Sequence, residues 1–216
     1  MKKLIKKSIM VLAMVLGFAN SIYAQKYGGG VETTELPGMG TVYLNLAYME
    51  TPTLFVRIKS QEGWNIDPDF ANYAREFIGM LPKDAYGPQG VNMTFYILGH
   101  LEEKGQMTFK EFVKNEKENY KKNGVNPEYK EIKFKFSDNK FKNKLLDYGV
   151  CEIYGLPNSK VEMMFVGKTE KGLIVLFFAA KGNPDDVKVE KMKKDFLASL
   201  ETLEIYTRDD FNEDWK

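Results

Sequence analysis

The chain has one histidine and one cysteine in 216 residues, and that scarcity excludes more chemistry than any other feature of its sequence. A lone cysteine, Cys151, forms no intramolecular disulfide, so the core must hold the fold even in an oxidising compartment. Structural zinc takes four cysteine or histidine ligands and catalytic zinc three protein ligands. His100 and Cys151 alone build neither, and no cofactor motif is present. A nucleophilic thiol would need a base, and His100 is the only imidazole. In the strand-like run YGVCEIY, Cys151 reads as buried and inert. Long apolar runs are missing too. The longest, residues 9–19, is about half of the roughly 20 residues a spanning helix needs.

What is present begins with an export pattern. Lys2, Lys3, Lys6 and Lys7 precede that apolar run, and small or polar residues lead to Ala24, which predicts a signal peptide over residues 1–24. Gln25 and Lys26 stand where a lipid-attachment cysteine would be, so the mature chain is expected to be soluble, not membrane-spanning, and periplasmic or secreted. The segment carries four of the 31 basic side chains and no acids, which leaves 27 against 30 acidic ones and a net charge near −3. Residues 25–40, QKYGGGVETTELPGMG, are glycine-rich without apolar period and read as a flexible leader. No internal repeat or second linker follows. One domain is expected over 41–206, then an acidic tail over 207–216.

TVYLNLAY and TLFVRIK alternate as strands. In NIDPDFANYAREF, Asn65, Asp67, Asp69 and Glu76 fall at calcium-loop spacing, but Phe70 occupies the place where such a loop requires glycine. Asp67 as N-cap and Pro68 at the first position explain the same residues as a helix start. That helix is expected to bury Phe70, Tyr73, Ala74, Phe77 and Leu81 and to end at Pro82. In VNMTFYILGH, Val91, Met93, Phe95 and Ile97 share a strand face, and His100 is expected just past the strand end beside solvated glutamates, with no catalytic role. Thr108 and Glu111 form a capping box for a helix to Asn123, stopped by Gly124. Phe109, Phe112, Val113 and Tyr120 share its inner face with Glu116, which is expected at the rim, in water or paired to a lysine.

The most unusual stretch is YKEIKFKFSDNKFKNK, in which lysines alternate with Ile132, Phe134, Phe136 and Phe141. Between Lys110 and Lys144 stand eleven lysines against six acids, whereas the last sixteen residues carry six acids against two cations. Such a lopsided chain offers Lys133, Lys135, Lys140, Lys142 and Lys144 as a contact for a polyanionic surface or an envelope protein. A plainer reading is an edge strand whose outward lysines block edge-to-edge pairing. No specific nucleic-acid readout is expected, since the stretch holds no arginine. KVEMMFVGK and GLIVLFFAA read as strongly apolar strands, and the second, which does not alternate, as one buried on both faces. A last helix, with Asn183 as cap and Pro184 at its first position, buries Val189, Met192, Phe196, Leu200 and Leu203.

The order of a GW loop, the VNMTFYI strand, the MTFKEFVKNEKENY helix, the paired strands through GLIVLFFAA and the FLASLETLEI helix resembles the PsbP-like superfamily over most of residues 41–206. The resemblance implies an α+β fold: a single-domain α/β/α sandwich with a largely antiparallel sheet and helices on both faces. It also implies adaptor or assembly roles, as in extrinsic photosystem subunits and a nuclear transport factor, rather than catalysis. The expectation is therefore an exported, non-catalytic binding or adaptor protein of the bacterial envelope. Its rivals are a carboxylate-based hydrolase acting on a glycan through Glu116, Glu152 or Glu162, and a passive carrier with an apolar cavity.

Overall fold

The computed structural model describes residues 29–36, 40–74, 76–103, 105–137, 140–207 and 210. The predicted signal peptide, residues 25–28 of the leader and residues 211–216 of the tail lie outside these. In chain order the elements are β1 (Gly29–Leu36), β2 (Gly40–Glu50), β3 (Leu54–Lys59), β4 (Trp64–Ile66), α1 (Pro68–Ala74) and β5 (Ile78–Pro82). A small hairpin of β6 (Tyr86–Gly87) and β7 (Gly90–Val91) leads to β8 (Phe95–Glu103), α2 (Phe109–Lys122) and β9 (Glu128–Ile132). Then come β10 (Asp147–Tyr154), β11 (Ser159–Lys168), β12 (Gly172–Lys181), α3 (Asp186–Leu200) and β13 (Glu204–Thr207).

The fold is mixed α and β with antiparallel sheets. Seven strands pair in the order β4-β5-β8-β12-β11-β10-β9, and four more in the order β1-β2-β3-β13. Strand side chains alternate between faces, so register decides what meets what. Val175 pairs with His100 and Phe177 with Leu98 across β12 and β8, while Ile153 pairs with Glu162 across β10 and β11. One face of the large sheet packs Met164, Val166, Val175 and Ile153 under Phe109 and Phe112 of α2. The other packs Ile97, Phe165, Leu176 and Phe178 against Met192 and Phe196 of α3 and against Met49, Val56 and Ile58 of the four-stranded sheet. Each fully buried phenylalanine here contributes about 1.5–3 kcal/mol.

Helix α2 has the expected cap and buries Phe109 and Phe112, and α3 buries Val189, Met192, Phe196 and Leu200 as expected. The capping box at α2 is complete: Thr108 Oγ1 accepts from the Glu111 N–H at 3.3 Å, and Glu111 Oε2 accepts from the Thr108 N–H at 2.7 Å. The Phe109 N–H donates to Asp147 Oδ2 at 2.6 Å, which ties the helix start to β10. The Phe109 ring then lies on Gly149, where a Cβ would collide with it. Gly149→Val is expected to lower stability by about 1–3 kcal/mol, as overpacking does. A urea midpoint equal to that of the wild type would remove Gly149 as the seat of α2. Trp64, buried in the loop-to-strand corner, donates its indole N–H to Asp195 Oδ2 of α3 at 3.1 Å.

Four expectations are corrected. The leader read as flexible over 25–40 contains β1, whose antiparallel pairing with β2 runs from Gly29↔Met49 to Leu36↔Gly40. Nonlocal backbone pairing, invisible to composition, makes residues 29–36 a strand. The helix expected to reach Leu81 ends at Ala74. Residues 78–82 are instead β5, buried throughout between β4 and β8. The cap of α3 is Asp185 rather than Asn183, its Oδ1 accepting from the Val187 and Lys188 N–H groups at 2.8 and 3.2 Å. The helix stops at Leu200, and the end of the expected helical LETLEI enters β13 at Glu204, paired to β3 through Ile205↔Val56. No described helix is long and apolar enough to cross a membrane.

Candidate functional site

The inner stripe of α2 places Phe112, Glu116 and Tyr120 one above another, because residues four apart share a helix face. Beneath them, period two in β8 aims Tyr96, Leu98, His100 and Glu102 to the same side as Phe177 and Ala179 of β12 and Glu162 of β11. Glu76, between α1 and β5, closes one edge. Together these residues line a cavity of about 60 Å³.

His100 is therefore not beyond a strand end. It lies within β8, its ring stacked on Phe177 with centroids 6.3 Å apart. Its Nδ1 is 3.0 Å from Glu76 Oε2 and its Nε2 is 3.4 Å from Glu102 Oε1. Burial alone would lower the imidazole pKa, but the hydrogen bonds to Glu102 and Glu76 outweigh it and raise the value to about 10. At neutral pH the ring is an imidazolium clamped between two carboxylates.

Glu116 does not reach the rim as expected. Its Oε1 is shielded from solvent and has no hydrogen-bond partner among the described residues. Burial first, then repulsion from Glu102 and Glu162, pushes its carboxyl up to about 7 against the opposing pull of His100 and Asn119. Glu162 is better provided for. Its Oε1 accepts from the Ser159 hydroxyl at 2.7 Å and lies 3.6 Å from Lys181 Nζ. That ammonium stands 5.6 Å from the centre of the Tyr96 ring. Burial raises the pKa of the Tyr96 and Tyr120 phenols.

The structure brings Glu116 and Glu162 together and leaves Glu152 out. Glu152 faces α3 on the opposite side of the sheet, buried and ion-paired to Lys193, with the Tyr154 hydroxyl donating at 2.6 Å. Burial would raise its pKa, but hydrogen bonds from Lys193 and Tyr154 hold it below the ordinary value. Cys151 belongs to the apolar cluster under α2, and burial lifts its thiol to about 12. Among the described residues no group of three or more His, Cys, Asp or Glu is arranged to hold a metal ion.

The basic segment starts on β9, the edge strand of the large sheet. Lys133 and Lys135 are exposed in the extended stretch after it, while Phe134 and Phe136 turn inward and Phe136 meets the Tyr148 ring at 5.1 Å. Lys142 is exposed on a 3-10 turn, Lys144 pairs with Asp210, and the side chain of Lys140 lies outside those described. Two signals in the sequence pointed to the cavity: the alternation Tyr96, Leu98, His100, Glu102, and the i, i+4 spacing of Phe112, Glu116 and Tyr120.

Fold and cavity define an α+β protein with a polar, aromatic-walled pocket under one helix. No protein-family model matches the chain, and no curated protein does. The solution structure of cyanobacterial PsbP (CyanoP) from Synechocystis sp. PCC 6803 is similar over 87% of this chain and 96% of that one, at 8% identity and a TM-score of 0.41. At such identity it carries no residue role and no function to this chain.

Proposed function

We propose that the chain is an exported, non-catalytic binding protein of the bacterial envelope, built as an α/β/α sandwich, whose ligand occupies the cavity beneath α2. The observation that carries this reading is the state of His100. An imidazolium held between Glu76 and Glu102 has no free lone pair to take a proton at neutral pH. The residues lining the cavity include no serine, threonine or cysteine to serve as a nucleophile. Convergent polar groups in an apolar-walled recess instead suit a small molecule held and released unchanged. Exposed Lys133, Lys135 and Lys142, with Lys140 and Lys144 of the same stretch, are the proposed contact for an anionic partner, either an envelope protein or a polyanionic surface.

The test is to incubate the purified chain with a small-metabolite extract and identify by mass spectrometry what co-elutes. Compounds recovered chemically unchanged support binding. A second reading, a glycan hydrolase, is favoured by one observation: Glu116, with its pKa raised to about 7, shares the cavity with Glu162. Time-dependent cleavage of a glycan, abolished in both Glu116→Gln and Glu162→Gln, would replace the binding reading with that one.

A further inference from the structure

Charge pairing within the cavity does not balance. Glu76 and Glu102 are both committed to His100, and Glu162 to Lys181 and the Ser159 hydroxyl. Glu116 has a hydrogen bond from Asn119, but its Oε1 is shielded from solvent and has no hydrogen-bond partner among the described residues, and the residue lines the cavity. A buried carboxylate oxygen without a donor is costly. What that oxygen lacks is a hydrogen-bond donor, and a cationic N–H would supply charge as well as a proton. The rest of the cavity wall is aromatic and aliphatic: Tyr96, Leu98, Phe112, Tyr120, Phe177 and Ala179. Such a surface suits the hydrocarbon part of a ligand and, through the ring faces, its positive end.

We propose that the cavity binds a small protonated amine, its ammonium donating to Glu116 and its carbon chain lying against Phe112 and Phe177. This rests on the reading of the cavity as the ligand site and names the chemical class it takes. Size sets the ligand. A water needs about 10–15 Å³ of such space, so a cavity of about 60 Å³ has room for about four to six non-hydrogen atoms. Ethanolamine, butylamine and putrescine fall in that range. A quaternary ammonium fills the same space but has no N–H for Glu116.

The test is calorimetric titration of the full chain at pH 8 with butylamine, ethanolamine and putrescine, against butanol and tetramethylammonium as neutral and donor-free controls. At least one primary amine is expected to bind at least tenfold tighter than both controls. Glu116→Gln should weaken that amine at least tenfold. Circular dichroism and the melting curve of the variant establish that it is folded. Equal binding of butanol and butylamine would overturn the proposal, as would an undiminished affinity in Glu116→Gln, or no amine binding at all. Failure of the amine and failure of the pocket are separable by NMR. A neutral metabolite that moves the ring resonances of Phe112, Tyr120 and Phe177 while amines do not would refute the amine and keep the pocket. If neither amines nor the metabolite extract moves those resonances, the pocket reading falls as well.

Discussion

Replacing His100 by glutamine is expected to destabilise the protein by about 2–4 kcal/mol at pH 7, somewhat below the roughly 3–5 for breaking a fully buried ion pair. The imidazolium separates Glu76 and Glu102, and the Glu76 side chain is only 9% exposed. Without the cation, two carboxylates face each other in a partly dry site. For a chain of this size the melting temperature should fall by roughly 5–15 °C. The pH dependence is the sharper readout. With a folded pKa of about 10 against 6.5 unfolded, His100 stays protonated in the native state after the unfolded chain has lost its proton. Its contribution is fully present below pH 6.5 and is lost as pH rises towards 10, at up to about 1.4 kcal/mol per pH unit. Wild-type melting temperature should therefore decline across that window, and the variant's should be flatter. Removing one charge as well, in Glu76→Gln with His100→Gln, should recover much of the loss, because only the more exposed carboxylate, Glu102, then remains without its cation. Parallel wild-type and His100→Gln curves between pH 7 and 9.5 would sink this account of the clamp.

Parts of this arrangement were legible because their causes are local. Thr108 and Glu111 are three residues apart and cap α2 by themselves. The unbroken apolar run GLIVLFFAA, residues 172–180, reads as a strand buried on both faces, and β12 is one. What failed to show were pairings made across long sequence distances. Residues 78–82 continue an apolar helical stripe as well as they make a strand; only β8 and β4 on either side select the strand. The segments that become β1 and β13 carry no strong pattern and are strands through β2 and β3. The same limit hid the site. His100 and Glu102 stand two apart and share a face because β8 runs on to Glu103, past the strand end expected before His100. Glu76 and Glu162 arrive from other strands or loops, and no spacing rule announces them. Beside the alternation in β8, glutamate at an inner helical position was the signal available. Its usual meaning is a rim residue, and Glu116 departs from it.

Glu116→Gln is expected to do the opposite of most substitutions at a buried charged position and make the unliganded protein more stable. The native carboxyl, raised to about 7, holds its proton when the unfolded chain, near 4.5, has released it. The raised value favours the folded state fully below pH 4.5, and that advantage is lost as pH rises to 7. Above pH 7 the native protein carries an ionised carboxylate that it solvates poorly. Glutamine removes this penalty while keeping the shape. At pH 8 the gain should be about 1–2 kcal/mol after the cost of an imperfectly paired amide, or a melting temperature higher by roughly 2–8 °C. At pH 4.5 the wild type and the variant should melt together. His100 pulls the Glu116 pKa down, so the gain should grow in the His100→Gln background, which makes the two sites one coupled network rather than two independent defects. A stabilising loss of charge in a cavity is the mark of a group retained for something other than folding. If Glu116→Gln instead lowers the melting temperature at pH 8, the carboxylate has a partner that holds the fold together, and the cavity loses its reason to want a cation. If it raises the temperature while abolishing stabilisation by butylamine, which at a hundred times its dissociation constant should add about 2.7 kcal/mol to the wild type, then the charge is kept at a cost in stability so that the ligand can supply its counterion.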